Sequence, residues 1–211
     1  MEPSLQWLTD PTHFRVNRLD AHSDHQCFGS PEELPSGQSS LYLSLDGSWL
    51  FRYSRSIPQR PVGFWENGAD ESGFSSIQVP GHIELQGFGQ VQYTNVLYPW
   101  DGHAEIRPPE IDRDRTAVGS YVRYFTLPRH FAGHRVCISF QGVERAFYLW
   151  LNGHFVGYSE DSFTPSDFDL TDYLVPGENR LSVEVFQHSS ASWLEDQDFF
   201  RFFGIFRPVF L

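Results

Sequence analysis

A chain of 211 residues and 24.4 kDa is long enough to bury a substantial core. Its 40% hydrophobic and 20% charged residues, with a mean hydropathy of −0.39, exclude disorder throughout, and no apolar run approaches the roughly 18 residues that cross a bilayer. Fifteen cations, all arginine, stand against 27 acids, and a net charge of −12 opposes the counterion release that drives binding to nucleic acid or anionic membranes.

Residues 1–40 are polar and irregular, broken by Pro11, Pro31 and Pro35. Ser30-Pro31-Glu32-Glu33 predicts a short helical turn, with a serine N-cap and proline at the first helical position. The rest of this stretch is expected to be an arm that wraps other parts of the fold, outside the core. The opening MEPSLQWLTDPTHF has neither a basic nor an apolar signal-peptide region. The two cysteines, Cys27 and Cys137, cannot form a disulfide framework, and no N-x-S/T sequon occurs. A cytoplasmic location is the expectation.

Residues 40–53, SLYLSLDGSWLFRY, predict two short strand runs around a turn or bulge at Asp46-Gly47. Residues 54–92 are rich in Pro and Gly and predict ordered loops, with a short strand at 76–80. The β-pattern then becomes regular. Alternation predicts strands over 120–127, over 134–142 with Val136, Ile138 and Phe140 on one face, and over 180–188 with Leu181, Val183 and Val185 on one side. AFYLWLNGHFVGY, residues 146–158, is the strongest hairpin signal, because Asn152-Gly153 suits the positive φ angles of a type I′ turn. Phe168 and Leu170 alternate within 164–174, and a last strand is expected over 204–211. Short strands at this spacing, with 17% aromatic residues and few helical signals, predict an antiparallel β-sandwich.

Two polar clusters stand out. Ser192-Trp193-Leu194-Glu195-Asp196-Gln197-Asp198 places three carboxylates within four residues, bounded by Phe199 and Phe200. Such anions need partners, either a cation such as Arg201 or sugar hydroxyls, and loop acids in solvent are an equal alternative. If the segment is extended, Asp196 and Asp198 point one way and Glu195 and Gln197 the other. The stretch from Gln92 to His103, QYTNVLYPWDGH, is either a ligand rim or a packed loop; spacing alone favours neither. His22, His25 and Cys27 lack a second metal-binding half. No G-x-S-x-G, G-x-G-x-x-G or Walker motif is present in a fitting context.

Together, YTNVLYPWDGH and IRPPEI (93–111), VGSYVRYFTLP (118–128), FQGVERAFYLWLNGHFVGYSEDSFTPSDFDLTDYLVPGENRLSVEV (140–185) and SWLEDQDFFRFFGIFRPVFL (192–211) resemble the N-terminal domain of the β-galactosidases of glycoside hydrolase family 2. The resemblance runs from about Leu41 to Leu211. The LNGHFVGYSEDSFTP run is the pattern common to family-2 enzymes, whereas YTNVLYPW and SWLEDQDFFR resemble β-galactosidases in particular. It implies an all-β jelly-roll sandwich over 41–211 preceded by the irregular arm. It further implies catalytic glutamates in a later TIM barrel, no catalytic residue in this chain, and loops that complete a galactose subsite. By motif matching, Asn95 and Asp198 fall on sugar-contacting positions, and Asp198 also on a sodium ligand; a magnesium ion belongs to the parent enzyme and is not assigned to this chain. The implied partners are a β-galactoside, the remaining domains of the parent enzyme and further copies of the chain. Glucuronides are disfavoured because Glu195, Asp196 and Asp198 would repel a sugar carboxylate. A stand-alone carbohydrate-binding module and a structural domain bracing a barrel or oligomer interface are the alternatives.

Overall fold

The computed structural model describes residues 2–23, 25–103 and 105–211. Its strands are β1 (Arg15–Val16), β2 (Gly47–Ser54), β3 (Ser75–Val79), β4 (Tyr93–Thr94), β5 (Val118–Thr126), β6 (Cys137–Phe140) and β7 (Val143–Glu144). There follow β8 (Ala146–Leu151), β9 (His154–Ser159), β10 (Ser166–Asp169), β11 (Glu178–Phe186), β12 (Phe199–Phe200), β13 (Gly204–Ile205) and β14 (Val209–Phe210). The only helices among the described residues are short 3-10 turns, and none is long and apolar enough to cross a membrane. A seven-stranded sheet, ordered β1-β9-β8-β11-β5-β2-β3, packs over a three-stranded sheet ordered β10-β6-β14, and every pairing is antiparallel. This is the jelly-roll sandwich expected from the strand pattern.

Strand alternation explains the layers. Phe147, Leu149 and Leu151 of β8, with Leu181, Val183 and Val185 of β11, face the smaller sheet and meet Ile138, Phe140 and Phe168 there. Tyr148 and Trp150 face the other way, into a second cluster with Trp7, Leu8, Ile57 and Tyr158. β8 is therefore buried on both faces, which is why AFYLWL contains no polar residue. The outer cluster is roofed by the N-terminal arm and by the loop carrying Trp65, whose ring stacks on Trp150 at 4.6 Å and 6°. The arm wraps the fold as expected but also contributes to its interior. Trp7 and Leu8 are buried, Tyr148 donates to Ser4 O at 2.7 Å, and β1 is an edge strand of the large sheet.

The β8–β9 hairpin closes at Asn152-Gly153 with φ of 52° and 81°, as a type I′ turn requires. Asn152 also donates to Tyr173 O and Asn179 Oδ1, and accepts from Arg180 N–H, all at 2.9 Å, so its side chain ties the turn to the neighbouring strand. The 3-10 turn Pro31–Ser36 forms behind Ser30 with proline in its first position, as predicted, but the Ser30 side chain makes no cap hydrogen bond.

Residues 40–53 divide at Asp46-Gly47 into two runs, as expected, but the runs belong to different sheets. Only Gly47–Ser54 joins the large sheet; Leu43 and Leu45 instead exchange backbone bonds with Leu211 and Val209 beside β14. Gly47, at φ 119°, is where the chain changes sheets, and Asp46 Oδ1 caps the crossing by accepting from Val209 N–H at 2.8 Å. The C-terminal strand is likewise split into β13 and β14, because Phe206-Arg207-Pro208 interrupts it. At the β3 edge, the Gln86 side chain takes the place of a further strand. Its Oε1 accepts from Gln78 N–H at 2.7 Å and its Nε2 donates to Gln78 O at 3.0 Å.

Glu184 of β11 lies in the outer layer, 3% exposed, with its Oε1 3.5 Å from Arg60 Nε. Burial raises its pKa from 4.5 to about 7. The unfolded chain releases this proton near pH 4.5 while the folded chain keeps it to about pH 7. The contribution to stability therefore falls as pH rises through that window, by about 3 kcal/mol. Glu184→Gln should gain on the native chain by about that amount between pH 4.5 and 7.5, read from urea midpoints. A difference that stays flat with pH would refute the burial of this carboxyl.

Candidate functional site

Both clusters singled out in the sequence meet at one end of the sandwich through the β4–β12 ladder. Phe199 pairs with Thr94 and Phe200 with Tyr93, and Asn95 and Asp198 are the residues next to this ladder on its two segments, each at a bend where the pairing ends. Alternation then sorts the side chains. Within the ladder Thr94 and Phe199 share one face and Tyr93 and Phe200 the other, which is the exposed one. Beside it Arg201 is 2% exposed, whereas Asn95 and Asp198, at the bends, are both exposed. Asn95 Oδ1 accepts from Val96 N–H at 2.8 Å, and Asp198 Oδ1 accepts from the Tyr93 hydroxyl at 2.6 Å.

Arg201 locks this ladder. Its Nε donates to Thr94 Oγ1 at 2.7 Å, its Nη2 to Thr94 O at 3.2 Å, and its backbone N–H to Gln92 O at 2.8 Å. The same Nη2 lies 2.6 Å from Asp196 Oδ1, a charge pair that is not an aligned hydrogen bond. The guanidinium also sits over the Phe199 ring, 4.9 Å from its centroid.

Glu195 points elsewhere. It accepts from Ser162 N–H at 2.8 Å, Ser162 Oγ at 2.6 Å and Arg145 Nη1 at 3.1 Å. Arg145, 3% exposed, also lies 3.2 Å from Glu144. Glu195 and Asp196 are thus held by arginines, as expected of acids that shape the loop, but the extended geometry assumed for them is absent. The segment leaves a capped 3-10 turn, Ser190–Trp193, and bends, so two-residue alternation does not set its directions. The pairing also removes the electrostatic argument against glucuronides: two of the three acids are neutralised locally, and only Asp198 presents charge outward.

The Gln92–His103 stretch divides between its two readings. Tyr93 and Asn95 are exposed, as a rim would need, whereas Tyr98-Pro99-Trp100 is a packed loop. Tyr98 and Trp100 stack at 5.3 Å and 3°, and Trp193 closes on Trp100 at 4.4 Å, clamping the two site-bearing loops together. Sequence reasoning did not single out Arg145 or Ser162; they lie 50 and 33 residues from Glu195, and only the fold brings them to it. In the arm, His22 Nε2 lies 2.6 Å from Asp167 Oδ2, its ring 4.8 Å from His25, and Cys27 is exposed.

Acid–base chemistry is a poor match for these residues. Burial raises Glu84, Glu144 and Glu160 to about 7, a value suited to a general acid. All three are sealed inside the protein, 2–7% exposed, and Glu160 is bonded to Ser189, Ser190 and the Ala191 N–H. What the exposed groups offer is recognition: an amide, a phenol and a carboxylate with one oxygen free of protein partners among the described residues. As a hard oxygen donor that carboxylate fits a sodium ion as one ligand. No group of three or more His, Cys, Asp or Glu is gathered for a metal among the described residues, so further ligands would be carbonyl or amide oxygens, sugar, water or groups of another part of the protein.

Relatives share this chain over nearly its whole length. It is 56% identical to a β-galactosidase of Halalkalibacterium halodurans over 99% of the chain and 21% of that protein. It is 53% identical to one of Clostridium acetobutylicum over 100% of the chain and 24% of that protein. A β-galactosidase large subunit of Leuconostoc lactis is 51% identical over 99% of the chain and 35% of that subunit. The chain thus spans between about a fifth and a third of these relatives. Among solved structures, β-glucuronidase 2 of Bacteroides uniformis superposes with a TM-score of 0.59 at 22% identity, over 80% of this chain and 17% of that one. The Bifidobacterium dentium β-glucuronidase gives 0.57 at 21%, over 80% and 29%; both likenesses are of fold. Residues 42–211 match the family described as glycosyl hydrolases family 2, sugar binding domain, and the chain belongs to that family.

Proposed function

We propose that this chain is the N-terminal domain of a cytoplasmic β-galactosidase and completes its galactose subsite. Asn95 and Asp198 would contact the sugar, and Asp198 would be one ligand of a sodium ion. The observation that supports the reading is the β4–β12 ladder, which brings the two segments carrying these residues to one end of the sandwich, with the Tyr93 hydroxyl bonded to Asp198. The names and 49–56% identities of the relatives support the substrate class.

In this reading the retaining chemistry, with its covalent galactosyl-enzyme, belongs to a pair of carboxyls in a catalytic barrel. The chain's own residues bind and orient. The Asn95 amide donates to a sugar hydroxyl, and the free Asp198 oxygen accepts from another. A bound sodium ion would supply a fixed positive charge for sugar oxygens. The arginine-held Glu195 and Asp196 keep the loop rigid, which sharpens positioning. This chain on its own should therefore turn over o-nitrophenyl galactoside no faster than buffer, and should bind galactose very weakly in calorimetry, because part of the subsite is missing. Turnover above buffer would overturn the proposal. Tight binding of galactose or lactose without turnover would favour a stand-alone carbohydrate-binding module.

A further inference from the structure

Tyr93 stands on the outward face two residues before Asn95 and diagonally across the ladder from Asp198. It is 55% exposed, and its ring leans on Phe200 at 5.5 Å and 54°. Its hydroxyl donates to Asp198 Oδ1 at 2.6 Å, a length typical of a charge-assisted hydrogen bond. That bond also raises the pKa of the phenol, so it stays a donor.

The consequence for Asp198 is orientational. The terminal torsion of an aspartate is broad, and an exposed carboxylate samples many directions. Here Oδ1 is tethered, which leaves Oδ2 as the oxygen turned to a ligand. The tether is anchored to a rigid element, because Arg201 grips the backbone of Thr94, the residue between Tyr93 and Asn95. A purely structural pairing would act differently: both partners are exposed, so the bond adds little to stability.

We infer that Tyr93 is a positioning residue of the sugar subsite, fixing which Asp198 oxygen is presented to a galactoside hydroxyl and to a cation. The inference rests on the subsite reading of Asn95 and Asp198.

Tyr93→Phe tests it in the complete galactosidase polypeptide, since the ring and its contact with Phe200 remain. The readout is calorimetric affinity for a thiogalactoside that is not hydrolysed, measured over a series of sodium concentrations at constant ionic strength. The Kd should rise about fivefold, the size of one lost hydrogen bond. The sodium concentration that gives half of the sodium-dependent tightening should rise by a similar factor, with the urea midpoint unchanged. An unchanged Kd and sodium dependence overturn the inference, whether or not the urea midpoint falls. Asp198→Asn separates the two levels. If it weakens binding while Tyr93→Phe does not, the positioning role alone fails; if neither variant changes binding, the subsite reading fails and takes this inference with it.

Discussion

Asp198→Asn is expected to lower kcat/KM for aryl galactosides by about 100- to 1000-fold in the complete enzyme while leaving the fold intact. The substitution keeps shape and still accepts from Tyr93, but it removes the charge. A hydrogen bond to a charged group contributes roughly 1.5–3 kcal/mol, and two are at stake, one to a sugar hydroxyl and one in place of the cation contact. Full loss of both would amount to about 3–6 kcal/mol, and because the Asn oxygen still accepts a neutral hydrogen bond the expected loss in the transition state is about 3–4 kcal/mol. Because Asp198 is exposed and, among the described residues, its one hydrogen-bond partner is the Tyr93 hydroxyl, stability should move by no more than about 0.5 kcal/mol. Raising sodium should recover part of the lost activity. Activity within about threefold of native, with an unaltered sodium response, would remove Asp198 from the site.

The second large effect is on stability. Arg201→Met should destabilise the domain by about 3 kcal/mol in urea denaturation, since removing one partner of a buried pair leaves the other charge uncompensated. The methionine preserves much of the packing on Phe199, so the loss reports the missing guanidinium and its bonds to Thr94 and Asp196. Asp196→Asn alone should also act through folding, and less strongly, because that carboxylate is 20% exposed. Combining the two should cost less than their sum, because with both groups replaced neither partner is left as a stranded charge. Strict additivity, or a loss below about 1 kcal/mol for Arg201→Met, would contradict the role given to this ion pair.

Much of the sandwich was legible because its signals are local. Asn152-Gly153 between two apolar runs specifies its own hairpin, and period-two alternation exposes the core faces of β6 and β11 without knowledge of their partners. Residues 40–53 show the limit. Both halves carry good strand signals, but nothing local says that they pair with different sheets; that depends on Val209 and Leu211, at the far end of the chain. β8 hid its two-layer burial for a related reason, since a run apolar on both faces carries no alternation to read.

The site was legible in a different way. Motif resemblance singled out Asn95 and Asp198, while the pairing that brings their two segments together, between dipeptides about a hundred residues apart, exists only in the fold. The acids between them were harder. Glu195 and Asp196 look alike in sequence, and what separates them from Asp198 is which arginine each meets after a capped turn.

Gln86 has a consequence for how copies of this domain can meet. A sheet's open margin is a template on which a second polypeptide can order its backbone, and sandwiches that leave it bare are prone to stacking. Here one margin ends in a strand of two residues, too short to recruit a neighbour, and on the other an amide side chain mimics the peptide group a visiting strand would bring. The large sheet is therefore terminated on both sides by the chain itself. Strand addition to the large sheet is thereby disfavoured at both margins, which leaves side chains and loops as the surface through which copies of this sheet can meet.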